Sequence, residues 1–211
     1  TGVYAPNNTT LNATYTPSAA EIAAGTVTLT LTTTGNGTCN SASATKVITI
    51  TPAPIVNAGT NGSVCANNPA ITLNGTVTGA TGGTWSGGNG SYSPNNSTLN
   101  AVYTPTAAEI AAGTVTLTLT SAGNGTCNAV SKTVTYTITP APTVNAGLNR
   151  TVCGNNAAVV LNGSFTTATG GVWSGGAGSF DPSTTNMNAT YTPTAAEVAT
   201  GFVYLTLTTT G

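Results

Sequence analysis

Every landmark of this 211-residue chain recurs 88 residues further on. Tyr15, Tyr103 and Tyr191 share one position, as do Glu21, Glu109 and Glu197, Cys39 and Cys127, Cys65 and Cys153, and Trp85 and Trp173. No insertion or deletion interrupts the period. A spacing kept without slippage marks a tandem array, so the chain is read as copies of one small unit rather than as one large domain. The period assigns 1–51 to the C-terminal part of one repeat, 52–139 to a complete repeat and 140–211 to the N-terminal part of a third. Thr1–Pro6 (TGVYAP) aligns with Asn89–Pro94 (NGSYSP), which predicts a chain that opens and closes in mid-repeat and belongs to something longer.

Within 52–139 the pattern is that of short strands. Pro52-Ala53-Pro54 forms a short, stiff linker, because proline fixes φ and removes a donor. Ile55 and Val56 begin a strand that breaks at Gly59–Gly62 and resumes at Ser63-Val64-Cys65; Ala66–Pro69 reads as a turn. Ile71 and Leu73 alternate with polar residues. Trp85 lies on a short strand between glycine turns, and Leu99, Ala101 and Tyr103 are predicted to alternate along another. The most regular stretch is Thr114–Thr120, where Val115, Leu117 and Leu119 must share one face and the threonines the other. The strand at Thr133–Thr139 turns Val134, Tyr136 and Ile138 inward.

Between the Tyr103 and Val115 strands lies Thr106-Ala107-Ala108-Glu109, matched by Ser18…Glu21 and Thr194…Glu197. This is a capping box, in which the hydroxyl accepts from the amide three residues on and the carboxylate reaches back to the cap amide. A one-turn helix should follow and end at Gly25, Gly113 or Gly201. The one acid present in every copy thus has a structural task.

Charge excludes more than it suggests. With three basic residues, four acidic and no histidine, the chain has no basic face for nucleic acid. General acid–base catalysis needs a histidine or paired carboxylates, and one glutamate per repeat supplies neither, so no enzyme and no cofactor is expected. The acid-rich loops that hold calcium are missing, and without histidine or a CxxC pair no metal site is expected. Cysteines recurring in a threonine- and asparagine-rich β chain read as disulfides of an oxidising, extracellular setting. No run long enough to cross a membrane is visible in this segment.

Short strands at regular spacing, a tryptophan after the first cysteine, and two cysteines 62 residues apart (Cys65 and Cys127) describe an all-β, immunoglobulin-like β-sandwich in tandem. Three stretches carry a more specific likeness: Thr143–Leu161 (TVNAGLNRTVCGNNAAVVL), Gly82–Gly88 (GGTWSGG) and Asn124–Cys127 (NGTC). They resemble the Ig-like and PKD-like tandem repeats of very large secreted surface proteins of Bacteroidota, of which the gliding-motility adhesins are the best known. That resemblance implies export by the type IX secretion system, a location at the cell surface, and a role in adhesion or in a filament. The Asp-rich turns of PKD domains are absent, so no calcium site carries over.

The function expected is a structural stalk or filament segment that gives length and stiffness, with neighbouring repeats of the same chain, and other copies in a filament, as partners. The alternatives are a carbohydrate-binding array, with Trp85 and Trp173 as stacking platforms, and an ice-binding array of threonine rows. Cys65 and Cys127 are the default disulfide. In an Ig-like sandwich, however, they fall at opposite ends of one domain, roughly 25 Å apart, whereas a disulfide holds Cα atoms about 4.4–6.8 Å apart. Bonds between adjacent domains are therefore favoured for Cys39, Cys65, Cys127 and Cys153. In the third copy Phe202 and Tyr204 replace the outward Thr114 and Thr116, which predicts an aromatic outer face suited to a lateral contact. With so few charges to screen, the melting temperature should shift by less than about 2 °C between low and 0.5 M NaCl, read by circular dichroism. A larger shift would mean that the sparse charges form a network.

Overall fold

The computed structural model describes residues 1–211, and the chain divides into two compact units: Thr1–Val64 with Pro69–Thr137, and Cys65–Asn68 with Ile138–Gly211. Over residues 52–139 the strands are β1 Ile55–Asn57, β2 Gly62–Cys65, β3 Ile71–Thr72, β4 Thr76–Thr78, β5 Gly82–Ser86, β6 Ser91–Ser93, β7 Val102–Thr104, β8 Thr114–Ala122 and β9 Ser131–Thr139. A single helix, α1 Ala107–Ala112, precedes β8. One sheet runs β2-β9-β8-β5; the facing layer consists of β6-β7-β3 and the pair β1-β4. The fold is an all-β, immunoglobulin-like sandwich.

β8 organises the core. It pairs antiparallel with β9 on one side and β5 on the other, which sets Leu117 opposite Val134 and Leu119 opposite Trp85. The pleat sends Val115, Leu117 and Leu119 inward, where they meet Val56, Ile71, Leu73 and Tyr103 of the facing layer. Trp85, Leu73, Leu117, Leu119 and Tyr103 are wholly out of water. Gly75 makes room for them: a Cβ there would stand 2.7 Å from a Leu119 methyl and 2.8 Å from the Trp85 ring. Gly163 has the same relation to Leu207 and Trp173 in the third repeat.

Two elements depart from what the residue pattern predicts. Leu99 and Ala101 do not extend a strand; only Val102–Thr104 does. The Asn95 carboxamide accepts from the Ser97 amide (3.0 Å) and the Thr98 hydroxyl (3.1 Å), and Ala101 N–H donates back to the Thr98 carbonyl at 3.2 Å, so the chain turns there. This turn aims the Leu99 carbonyl at the core, where it accepts from the Trp85 indole at 3.1 Å and the Gly75 amide at 3.0 Å. β4, which the residue pattern does not announce, pairs with β1 through Val56 and Val77.

Residues 1–51 and 140–211 carry counterparts of most of these elements, with none for β2 at 150–153. In 1–51 a hairpin joins Val3–Ala5 to Thr14–Thr16, a helix spans Ala19–Ala24, and Thr26–Thr32 pairs with Ser43–Thr49. In 140–211 Trp173 pairs opposite Leu207 and, with Tyr191 and Ala189, is buried. Thr206–Thr210 is the counterpart of Thr118–Ala122, and Phe202–Leu205 lie outside the ladder.

Truncating Leu117 to alanine should cost about 2–5 kcal/mol, because the strands on either side hold the cavity open. Thr116→Ala, one residue along on the outer face, should cost no more than about 1 kcal/mol. Urea denaturation of both variants checks the inward and outward assignment.

Candidate functional site: the closed cap, the tryptophan and the cysteine ends

The capping box is formed in all three copies. In the middle repeat Thr106 N–H donates to Glu109 Oε2 at 2.8 Å, the Thr106 hydroxyl donates to the same oxygen at 2.9 Å, and Glu109 N–H donates to Thr106 Oγ1 at 3.3 Å. Gly113, in the left-handed region at φ 74°, ends α1 and returns its N–H to the carbonyls of Glu109 and Ile110.

The other carboxylate oxygen is also engaged. Tyr103 donates its hydroxyl to Glu109 Oε1 at 2.7 Å, and Asn89 N–H donates to the same oxygen at 2.9 Å. Gly90 N–H in turn donates to the Tyr103 hydroxyl at 2.8 Å. Gly88, at φ +66°, leaves the space that the tyrosine hydroxyl fills. Tyr191, Glu197, Ala177 and Gly178 repeat the arrangement, and Tyr15 and Glu21 repeat its core. The capping motif announces the box but not the tyrosine that completes it. The signal was present, since a tyrosine stands six residues before the cap glutamate in every copy.

A carboxylate offers about four lone-pair directions, and Glu109 accepts four hydrogen bonds. Nothing remains with which to hold a substrate or an ion. The hydrogen bonds also set its acidity. For Glu109 burial pushes the pKa up, but the amides of Thr106 and Asn89 and the hydroxyls of Tyr103 and Thr106 outweigh it and hold the carboxyl below its ordinary value. Glu197 is held at about 2, chiefly by the amides of Ala177 and Thr194. Tyr103 is pushed up to about 12 by burial first and by its bond to Glu109 second.

Trp85 has no exposed surface, and Trp173 is 2% exposed. Neither ring presents a face to a sugar; both fill the core, where Gly75 and Gly163 leave room for the indoles. The threonine face is engaged with itself: Thr116 and Thr135 hydroxyls lie 3.0 Å apart, and Thr120 and Ser131 2.8 Å apart. Phe202 and Tyr204 are 66% and 82% exposed and pack against each other, with ring centroids 5.4 Å apart. A hollow of about 550 Å³, lined by Arg150, Val152, Val159, Val198 and Phe202 among others, lies within 140–211. In the middle repeat β9 occupies the corresponding space between β2 and β8. No three His, Cys, Asp or Glu side chains gather as metal ligands, and no helix is long and apolar enough to cross a membrane.

The four cysteines carry free thiols. Cys39 and Cys153 are exposed, Cys65 and Cys127 half-buried. Cys65 closes β2 and bridges to Asn68; Cys127 lies in the loop between β8 and β9.

No protein-family model matches the chain, and no curated protein does. Solved structures similar to it include extracellular cadherin domains 1–4 of protocadherin gamma B7 (12% identity, TM-score 0.42, covering 94% of this chain and 60% of that one). Domains 3–6 of protocadherin gamma B2 (14%, 0.38, 83% and 53%) and the human desmocollin-1 ectodomain (10%, 0.33, 90% and 44%) are others. This chain thus spans about 60% or less of the length of those structures. Fold and site together define a class: tandem immunoglobulin-like β-sandwiches whose recurring glutamate is consumed in a structural cap.

The caps predict the acid and alkaline limits of stability. Each glutamate is held below its ordinary 4.5, so its contribution is complete above that pH and is lost as pH falls through the lowered value, which for Glu197 is about 2. Tyr103 is held above its ordinary 10.0, so its contribution is complete below that pH and is lost as pH rises toward about 12. Melting temperature should be flat between these limits and fall on both sides. Glu109→Ala should cost about 0.5–2 kcal/mol at neutral pH, as other cap losses do. The triple variant Glu21→Gln, Glu109→Gln and Glu197→Gln should flatten the acid limb in a calorimetric pH series.

Proposed function

We infer that the chain is a structural segment of a large repetitive cell-surface adhesin, in which the repeats provide length and stiffness. One observation carries the reading: an 88-residue sequence period is kept without slippage, and the glutamate that recurs in it is saturated within the complete cap. A unit whose recurring carboxylate is already occupied, repeated in register, is suited to setting distance rather than to turnover or small-molecule binding. Stiff Pro-Ala-Pro linkers at Pro52–Pro54 and Pro140–Pro142 support it, since they limit play between neighbours. The likeness to Bacteroidota surface repeats adds the extracellular location, export by the type IX secretion system and a part in gliding motility. Neighbouring repeats of the same chain are then its constant partners.

Small-angle scattering tests the stalk directly. Extending the chain by one further 88-residue copy should lengthen its maximum dimension by roughly 30 Å or more, the length of a nine-residue strand with its end loops. A maximum dimension that does not grow would overturn the reading. Tight binding on a glycan array, or shaping of ice crystals, would replace it with one of the binding alternatives.

A further inference from the structure

The cysteines are the reactive side chains that the stalk leaves unused, and each marks one end of a repeat. The Cys127 thiol donates to the carbonyl oxygens of Thr51 at 3.5 Å and Pro52 at 3.6 Å, where the chain enters the middle copy. Cys65 marks the other end. The amide beside it, Ala66 N–H, donates to the carbonyl of Thr139 at 2.8 Å, where the chain leaves that copy. The Cys65–Asn68 turn accordingly belongs to the same compact unit as Ile138–Gly211.

Thr51 and Thr139 are one position of the period, and both are followed by Pro-Ala-Pro. A single carbonyl is therefore approached from two directions. From the copy that follows it comes a cysteine of the Cys127 position; from the copy that precedes it comes the residue next to a cysteine of the Cys65 position. Carried through the period, the two hydrogen bonds bring two cysteines of different copies to one junction. Within a copy the same two positions are separated by the length of β9, which at 3.3 Å per residue is about 26 Å, against the 4.4–6.8 Å between Cα atoms of a disulfide.

We propose that successive repeats are stapled by a disulfide from the Cys65 position of one copy to the Cys127 position of the next. The proposal rests on the stalk reading for its purpose, a covalent brace at each proline linker, and on the two carbonyl hydrogen bonds for its geometry. Bond formation removes two protons and two electrons from the two thiols; a disulfide oxidant such as oxidised glutathione takes them up and is reduced to two thiols. Cys65 finds its partner four residues past Gly211 by the period, so this chain contains no complete pair.

The test appends the sequence of Asn124–Thr139 after Gly211, which continues the period and adds one cysteine. Parent and extended chains are treated with oxidised glutathione, and monomers are mapped as peptides without reduction. In the extended chain Cys65 joins the added cysteine, the free-thiol titre is lower by two per chain than in the reduced protein, and Cys65→Ser abolishes the link. The parent monomer carries no disulfide. A bond between Cys65 and Cys127, a bond between Cys153 and the added cysteine, or no internal bond in an extended chain that circular dichroism finds folded overturns the proposal. Scattering reads the stalk separately, so a repeat that lengthens the chain without forming this bond would refute the staple alone.

Discussion

The pleat of one strand, Thr114–Ala122, is the constraint on which the repeat depends. It is bonded on both edges, and its alternation decides which residues of its neighbours face the core. Leu119 faces the same interior as Trp85, and Leu117 the same as Val134, so a slip of one residue would expose the whole set. The glycines at 75 and 83 follow from this, since the Leu119 methyls and the indole occupy the space that side chains there would need.

A chain with so little charge must satisfy its polar groups by short hydrogen bonds instead. Each cap glutamate joins a helix start, a strand tyrosine and, in the second and third copies, the amide of the glycine-rich turn before it. The hydroxyl ladder between Thr116 and Thr135 and between Thr120 and Ser131 does the same for the outer face. Polar groups that bind one another hold the sandwich together and leave little to recruit a ligand. Phe202 and Tyr204 are the exception, and their exposure marks the third copy as different from the others.

The segment 1–51 shows what local sequence alone brings about. The helix and its cap form in 1–51 with the same bonds as in the complete repeat. Its long hairpin is also formed; Leu31, at the position of the buried Leu119, is 60% exposed, and Val47, paired with Thr28 on the outer face, is 64% exposed. Capping and hairpin pairing are local.

The sequence alone determined the period, the β class, the three caps, and the inward set on the Val115–Leu119 strand, because each depends on neighbours close in the chain or on strict alternation. Only tertiary structure decided that Trp85 is sealed in the core, that Tyr103 completes the glutamate's shell, and that Leu99 belongs to a turn whose carbonyl receives the indole. Those outcomes depend on atoms distant in sequence meeting within hydrogen-bond range, and residue pattern carries no measure of that distance.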